Sequence, residues 1–352
     1  MNPSTLPHGV LPPEWAPQDA LMITWPHAET DWGPALDEVE RVWVEIALAV
    51  TPRQRLWVVA HDEAVAARVR ALLGRAGVAA AQVDVWIAPC DDTWARDHGP
   101  LTVGLPGEAW QPLDFTFNGW GGRFPSDRDD AITANLGRAG AFQRAPVAMG
   151  MVLEGGSVEV DGQGSLLTTR RCLLNPNRNP KLSQGEIEDR LRRAFGVEQL
   201  LWLEHGHLEG DDTDAHIDTL ARFAPERGIV YVSCDDPEDP HFAPLQAMER
   251  ELEAMRDVAG RPYRLWPLPW PSPKYGEEGL RLAASYANYV IINGAVLVPT
   301  YRDRRDAEAL QVVAEAHPGR RVIGVDCLGV IQQGGSLHCL TMQLPRGATR
   351  EA

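Results

Sequence analysis

SQGEIEDRLRRAFGVEQLLWLEH, residues 183 to 205, holds the unit from which the fold is read. Ser183 and Glu186 stand three apart, the spacing of a capping box, in which each side chain satisfies the other residue's free backbone N–H at a helix start. Ile187, Leu191 and Phe195 then recur at helical spacing, and Gly196 supplies a stop. Directly behind comes QLLWLEH from Gln199, a short apolar run of strand type, and behind that a polar loop, EGDDTDAHIDT (209–219). The unit is therefore amphipathic helix, strand, polar loop.

The same unit recurs on either side. Leu36, Val39, Val42, Trp43 and Ile46 mark a helix before RLWVVA at Arg55, and a weaker one runs from Ser126 through Ile132 and Leu136 before PVAMGMV at Pro146. Leu245, Met248, Leu252 and Met255 mark a helix ending near Gly260 before YRLWPLP at Tyr263. Leu310, Val313 and Ala314 mark another, closed by Pro318 and Gly319, before RVIGVDC at Arg321. Asp161-Gly162 and Asn293-Gly294 are turn dipeptides between strand residues, as in tight hairpins. The strands that end these units are placed near Leu101, Leu166, Val230 and Val296, a period of roughly 65 residues, longer than common solenoid repeats. The first unit carries an extra strand–helix–strand piece between Asp62 and Ala88. Fivefold repetition of a mixed α/β unit favours a closed α/β propeller over an open doubly wound sheet. No linker or low-complexity tract interrupts it, so residues 1–352 read as one catalytic domain.

Composition narrows the function classes. The formal charge of −16 argues against nucleic acid, whose phosphates need a basic surface, and suits a cationic ligand as well as mere solubility. No apolar run approaches the length of a membrane helix, and Met1–Pro13 lacks the layout of a signal peptide, so a cytoplasmic protein is expected. No GxGxxG sits at a strand–helix turn, which leaves a nucleotide site without support. The five cysteines, Cys90, Cys172, Cys234, Cys327 and Cys339, are scattered, with neither disulfide-framework nor zinc-ribbon spacing. No metal and no cofactor is expected for the reaction, and the oligomeric state is left open, a homo-oligomer included.

Chemistry-bearing residues fall in the loops, one per unit: CDDTWARDHGP (90–100), LEGGSVEVDG (153–162), EGDDTDAHIDT, SYANYVIING (285–294) and QGGSLHCLTMQ (333–343). Closing a propeller brings equivalent loops to the axis, which would gather Asp97, Glu154, His216, Asp218 and Cys339. A guanidinium is planar, permanently charged and matched to carboxylates. Two aspartates and a glutamate could hold it while a thiolate attacks its carbon and a histidine moves protons. Taken singly, Asp97 beside Arg96 is half of an ion pair, His216 a satisfied loop histidine, Cys339 a core residue, Trp94 and Trp120 packing, and Gly155-Gly156 and Gly334-Gly335 turns. Only the joint pattern points to chemistry.

The chain also resembles the agmatine deiminases and Porphyromonas-type peptidylarginine deiminases of the guanidine-modifying (pentein) superfamily. The resemblance runs from LPPEWAPQDALMITWPH (11–27) through DDTWARDHGP, FNGWGGRF, LEGGSVEVDG, CLLNPNRNP, GDDTDAHID and SYANYVIINGAVLVP to LHCLTMQ (337–343). It implies a five-bladed α/β propeller and a cofactor-free deimination, with agmatine plus water giving N-carbamoylputrescine and ammonia. By resemblance Cys339 is the nucleophile and His216 the proton shuttle. Asp97 and Asp218 grip the guanidinium, and Glu154 binds it and orients His216. Trp94 is similar to the wall of the substrate channel, Trp120 lies in a glycine-rich loop over it, and Asp212 stands where an acid meets the distal amine of agmatine. Three positions depart from the family pattern: Ala215 and Ser336 replace glycines and Ala283 a proline. A positive φ at Ala215 would cost roughly 1 kcal/mol or more. Alternatives are deimination of arginine in peptides, a metal-dependent hydrolase built on His205, His207, Asp211, Asp214 and His216, and a propeller that binds without catalysis.

Overall fold

The computed structural model describes residues 9 to 107 and 109 to 350; the first eight residues of the Met1–Pro13 leader reading lie outside them. Five small sheets make up the fold. Four of them hold three strands each: Leu101–Leu105, Ala109–Thr116 and Val147–Val152; Glu159–Val160, Ser165–Thr169 and Gln199–Leu203; Ala221–Ala224, Gly228–Val232 and Arg264–Leu268; Val290–Ile292, Ala295–Thr300 and Arg321–Asp326. In each, a leading strand pairs antiparallel with a middle strand, and the middle strand pairs parallel with a trailing one. A hairpin suffices for the first connection. The second needs a crossover, which is why a helix recurs in every unit.

The remaining sheet joins the two ends of the chain. Its order is Thr341–Pro345, Gln18–Thr24, Arg55–Ala60, Val83–Ile87, so a C-terminal strand serves as leading strand to an N-terminal middle strand. The extra piece found in the sequence is the fourth strand together with the helix Glu63–Arg75. Leading strands such as Ala221–Ala224 and Val290–Ile292 are wholly buried, whereas trailing strands such as Arg264–Leu268 and Arg321–Asp326 are partly exposed. The leading strands therefore face the axis. Arg55–Ala60 is buried although it occupies the trailing place, because the extra strand covers it.

Ser183 and Glu186 form the expected reciprocal cap, and Gly196 ends that helix at φ 65°. The helices at 36–50 and 306–316 stand where the periodicity puts them, and the one at 242–254 does too but ends at Ala254, where Met255 turns extended, six residues short of the Gly260 stop. Two further expectations need correction. The helix from Ser126 to Leu136 is two short ones, Asp127–Asp130 and Ile132–Arg138, joined at Ala131. Leu101 opens a leading strand, while Leu166, Val230 and Val296 lie in middle strands; the true counterpart in the second blade is Ala109–Thr116. Both strands of that hairpin are rich in apolar residues, so the pattern alone does not tell one from the other.

Candidate active site

The site is built where each chain segment turns into a leading strand. Asp97 lies in the single helical turn Ala95–His98, and Glu154 opens the 3-10 turn Gly155–Ser157. His216 opens another, Ile217–Thr219, which contains Asp218. Asn288 stands two residues before Val290 and Cys339 two before Thr341. Fivefold symmetry thus delivers one polar residue or pair per blade to the axis.

Gly156 defines the centre. A Cβ placed on it would lie 2.6 Å from His216 Nδ1, 2.9 Å from Asp97 Oδ1 and 3.0 Å from Asp218 Oδ2. Its φ is not positive, so the position requires glycine because side chains converge there, not because a turn does. Cys339 Sγ lies 3.7 Å from Asp218 Oδ2 and 3.4 Å from Asn288 Oδ1. Asp97 accepts from Gly156 N–H at 3.0 Å and from the Trp120 indole at 2.9 Å. Glu154 Oε1 accepts from Arg178 Nε at 2.8 Å. Asp218 Oδ2 accepts from His338 Nδ1 at 2.8 Å. Asp218 Oδ1 and Glu154 Oε2 are buried with no hydrogen-bond partner among the described residues, and the buried His216 meets only Asp97 Oδ1, 3.7 Å from its Nδ1, and the Cys172 thiol. Buried polar atoms are rarely left so, and this group suits a planar, multiply donating ligand.

Burial raises the Cys339 thiol well above its ordinary range, and the neighbouring Asp218 and Asp97 carboxylates push the same way. Burial works against a charged His216, yet Asp97, Cys172 and Glu154 together hold its proton affinity well above that of an ordinary histidine. Asp97 is itself raised, by burial above all. Burial works to raise Asp218, yet the hydrogen bond and attraction of His338, with His216 and Arg222 added, together hold its carboxyl below the ordinary range. Cys339 and His216 therefore hold their protons in the free protein, while Asp218 gives up its own.

A pocket of about 320 Å³ opens over this centre, lined among others by Trp94, Asp97, Trp120, Asp212 and Cys339. Glu154, His216 and Asp218 lie beneath its floor, fully buried. Trp120 sits at φ 54° and is buried; it braces Asp97 and forms a wall, and the exposed Phe124 holds the rim. Gly335 is needed because a Cβ there would meet the Trp94 ring at 2.2 Å. Burial and Asp211 push the Asp212 carboxyl up to about 6. Asp31 and Asp92 add further acids to the lining, and the cation there, Arg281, is held by Asp239 at 2.7 Å.

The residues of the metal-hydrolase alternative disperse. His205 pairs with Glu251, Asp214 pairs with Arg123 and Arg178, and Asp211 caps its own loop at Thr213 and Ala215. Ala215 does adopt a positive φ, 64°, whereas Ser336 does not and bonds Tyr301 at 2.9 Å. Sequence reasoning overlooked Asn288, Arg178 and His338. The repeat itself could have found Asn288, since it holds the place in the fourth loop that Cys339 holds in the last.

Comparison with known proteins agrees with this geometry. The model of the Porphyromonas-type peptidyl-arginine deiminase family matches residues 10–345. An agmatine deiminase of Ectopseudomonas mendocina is 33% identical over 95% of each chain. The structure of C. jejuni agmatine deiminase with substrate bound, a cysteine-to-serine variant, is 36% identical, with a TM-score of 0.88 over 97% of both chains. A Porphyromonas gingivalis structure provisionally assigned as an arginine deiminase is 47% identical, with a TM-score of 0.89 over 97% of this chain and 99% of the other. A five-sheet ring, a buried cysteine among carboxylates and a match that runs the length of the fold lead to one assignment: the chain is a hydrolase of the Porphyromonas-type peptidyl-arginine deiminase and agmatine deiminase family, in the pentein superfamily.

Proposed function

We propose that residues 1–352 form one catalytic domain that deiminates agmatine, with Cys339 as nucleophile. The carrying observation is the convergence at Gly156, where an imidazole and two carboxylates crowd the glycine so closely that no side chain fits, beside a thiol that lines the pocket above. Asp97 and Asp218 accept the guanidinium hydrogens, and Glu154 accepts another while its fixed carboxylate orients His216. The cation offsets the same carboxylates that suppress ionisation of Cys339, so substrate binding favours the thiolate. The thiolate adds to the guanidinium carbon, and His216 protonates one nitrogen as it departs as ammonia, leaving an S-linked amidinium. His216 then takes a proton from water, the oxygen adds to the same carbon, and the C–S bond breaks to return the thiolate. The product is N-carbamoylputrescine.

Agmatine is favoured over arginine in a peptide by the pocket above the centre. Four aspartates line it, and the arginine there is already paired. Such a lining suits a second cation and offers little to backbone carbonyls or to a free carboxylate. The test is a panel of agmatine, free arginine and an arginine peptide, with products assigned by mass. Agmatine should give the highest kcat/KM, and Cys339→Ser should lose nearly all turnover with every substrate while keeping its fold. Preference for the peptide would overturn the substrate; substantial turnover by Cys339→Ser would overturn the nucleophile.

A further inference from the structure

The extra strand of the first blade creates a feature that the other blades lack. Gln18–Thr24, Arg55–Ala60 and Val83–Ile87 run parallel to one another, so all three end on the same side of the sheet. His27, His61 and Cys90 follow these three ends by three, one and three residues. Their ligand atoms lie within 4.8 Å of one another. His61 Nδ1 is 3.9 Å from Cys90 Sγ, 3.1 Å from Cys90 N and 3.0 Å from Cys90 O. The His27 and His61 rings stand 4.2 Å apart.

The independent observation is His27. It is 5% exposed, and its Nε2 has no hydrogen-bond partner among the described residues. A ring nitrogen left so inside a protein calls for an explanation, and the His61 ring, the Cys90 backbone and the Cys90 thiol stand beside it. Cys90 is wholly buried, while His61 is partly exposed and gives access. Glu29, Asp62, Asp91, Asp92 and Asp129 lie around the cluster with one cation, Arg128, which pairs with Glu29 and Asp91, so the balance of charge stays acidic.

We propose that His27, His61 and Cys90 form a binding site for one borderline-soft divalent cation of the Zn2+ class, separate from the catalytic centre. Two imidazoles and a thiolate are the donor set such ions prefer, and three protein ligands leave a fourth position to water. Zn–S and Zn–N bonds at a tetrahedral angle put sulfur and nitrogen roughly 3.6 Å apart, close to what is found here. Two imidazoles on one tetrahedral ion have ring centres roughly 5 Å apart, so the two rings, tilted by 34°, must open by a small side-chain rotation. On binding, the Cys90 thiol gives its proton to solvent and the sulfur takes the metal. No step of deimination passes through the ion. Its effect is mechanical: Cys90 is the root of the loop that carries Trp94 and Asp97, and the ion ties that root to the ends of two neighbouring strands.

The experiment is titration of the chelator-treated full-length protein with Co2+, followed by its absorption, together with thermal unfolding with and without one equivalent of Zn2+. One Co2+ per chain should bind with the thiolate charge-transfer band and intense visible bands of a tetrahedral site, and Zn2+ should raise Tm. Cys90→Ser should lose the charge-transfer band, and His61→Ala, at a more exposed position, should weaken uptake at least tenfold while its far-ultraviolet dichroism stays that of wild type. Cys339→Ser should keep both the band and the Tm shift. Absence of a band in wild type, its survival in Cys90→Ser, or its loss in Cys339→Ser would overturn the proposal. Because these readouts do not use turnover, failure here leaves the deiminase reading to its own test.

Discussion

At the level of single residues, the centre depends on what is small as much as on what reacts. A methyl at position 156 would occupy the space between His216, Asp97 and Asp218. Gly156→Ala should therefore cut kcat/KM by roughly 100-fold or more, since even 1 Å of misplacement can cost that much, and should lower stability by roughly 1 to 3 kcal/mol because the groups it meets are buried. Asp212 is the residue that bears on substrate choice. A charge-assisted bond from its carboxylate to the distal ammonium is worth roughly 1.5 to 3 kcal/mol, so Asp212→Asn should lower kcat/KM for agmatine by about 10- to 150-fold. A guanidine of similar length without the distal amine should lose little, and equal losses for both would show that Asp212 only braces its loop. Its carboxyl is raised to about 6, so the charge that binds the ammonium disappears as pH falls below that value. KM for agmatine should climb on that side, and Asp212→Asn should flatten the climb. Ala215 holds a backbone shape that costs an alanine roughly 1 to 2 kcal/mol. Ala215→Gly should recover about 0.5 to 1 kcal/mol, after the added freedom of the unfolded chain is subtracted, as a higher denaturant midpoint.

At the level of elements, most of the architecture was legible before any coordinates. Helix periodicity, the Ser183–Glu186 cap and the Asn293-Gly294 hairpin are local signals, and each marks the element it should. The five candidate polar residues were legible for the same reason: a repeated unit implies a repeated place for its loop, and closure implies a meeting point. What failed was phase and partnership. Leu101 was assigned to the wrong strand of its hairpin because two adjacent buried strands share one hydrophobic pattern. Asn288 carries no charge or nucleophile to draw notice, yet its carboxamide oxygen accepts from the His338 backbone N–H at 2.8 Å and lies 3.4 Å from the Cys339 sulfur. Arg178 and Trp120 act by holding Glu154 and Asp97, and such pairings between distant segments leave no trace in local spacing. The place of Glu154, His216 and Asp218 below the pocket floor, with Asp97 and Cys339 at its surface, is likewise a matter of depth that spacing does not encode.

At the level of the whole molecule, the axis is filled by charge. Arg222 donates to Glu14 at 2.7 Å, to Glu159 at 2.8 Å and to the Tyr289 carbonyl at 2.7 Å, and His338 spans Glu14 and Asp218. These residues come from the N-terminal segment, three leading strands or their approaches, and the nucleophile loop, so one guanidinium fastens several blades. Removing it leaves two buried carboxylates without their main partner. Arg222→Met should therefore cost about 3 to 5 kcal/mol in chemical denaturation, and far more than loss of an exposed pair such as Arg302–Asp326. The strand Thr341–Pro345 that completes the ring lies two residues beyond Cys339. A nascent chain that has not yet delivered that strand has an open ring, and the loop bearing Cys339 emerges just ahead of it. On the proposed role of Cys339, closing the ring and completing the site are then a single event in folding, because the thiol arrives on the segment that supplies the closing strand.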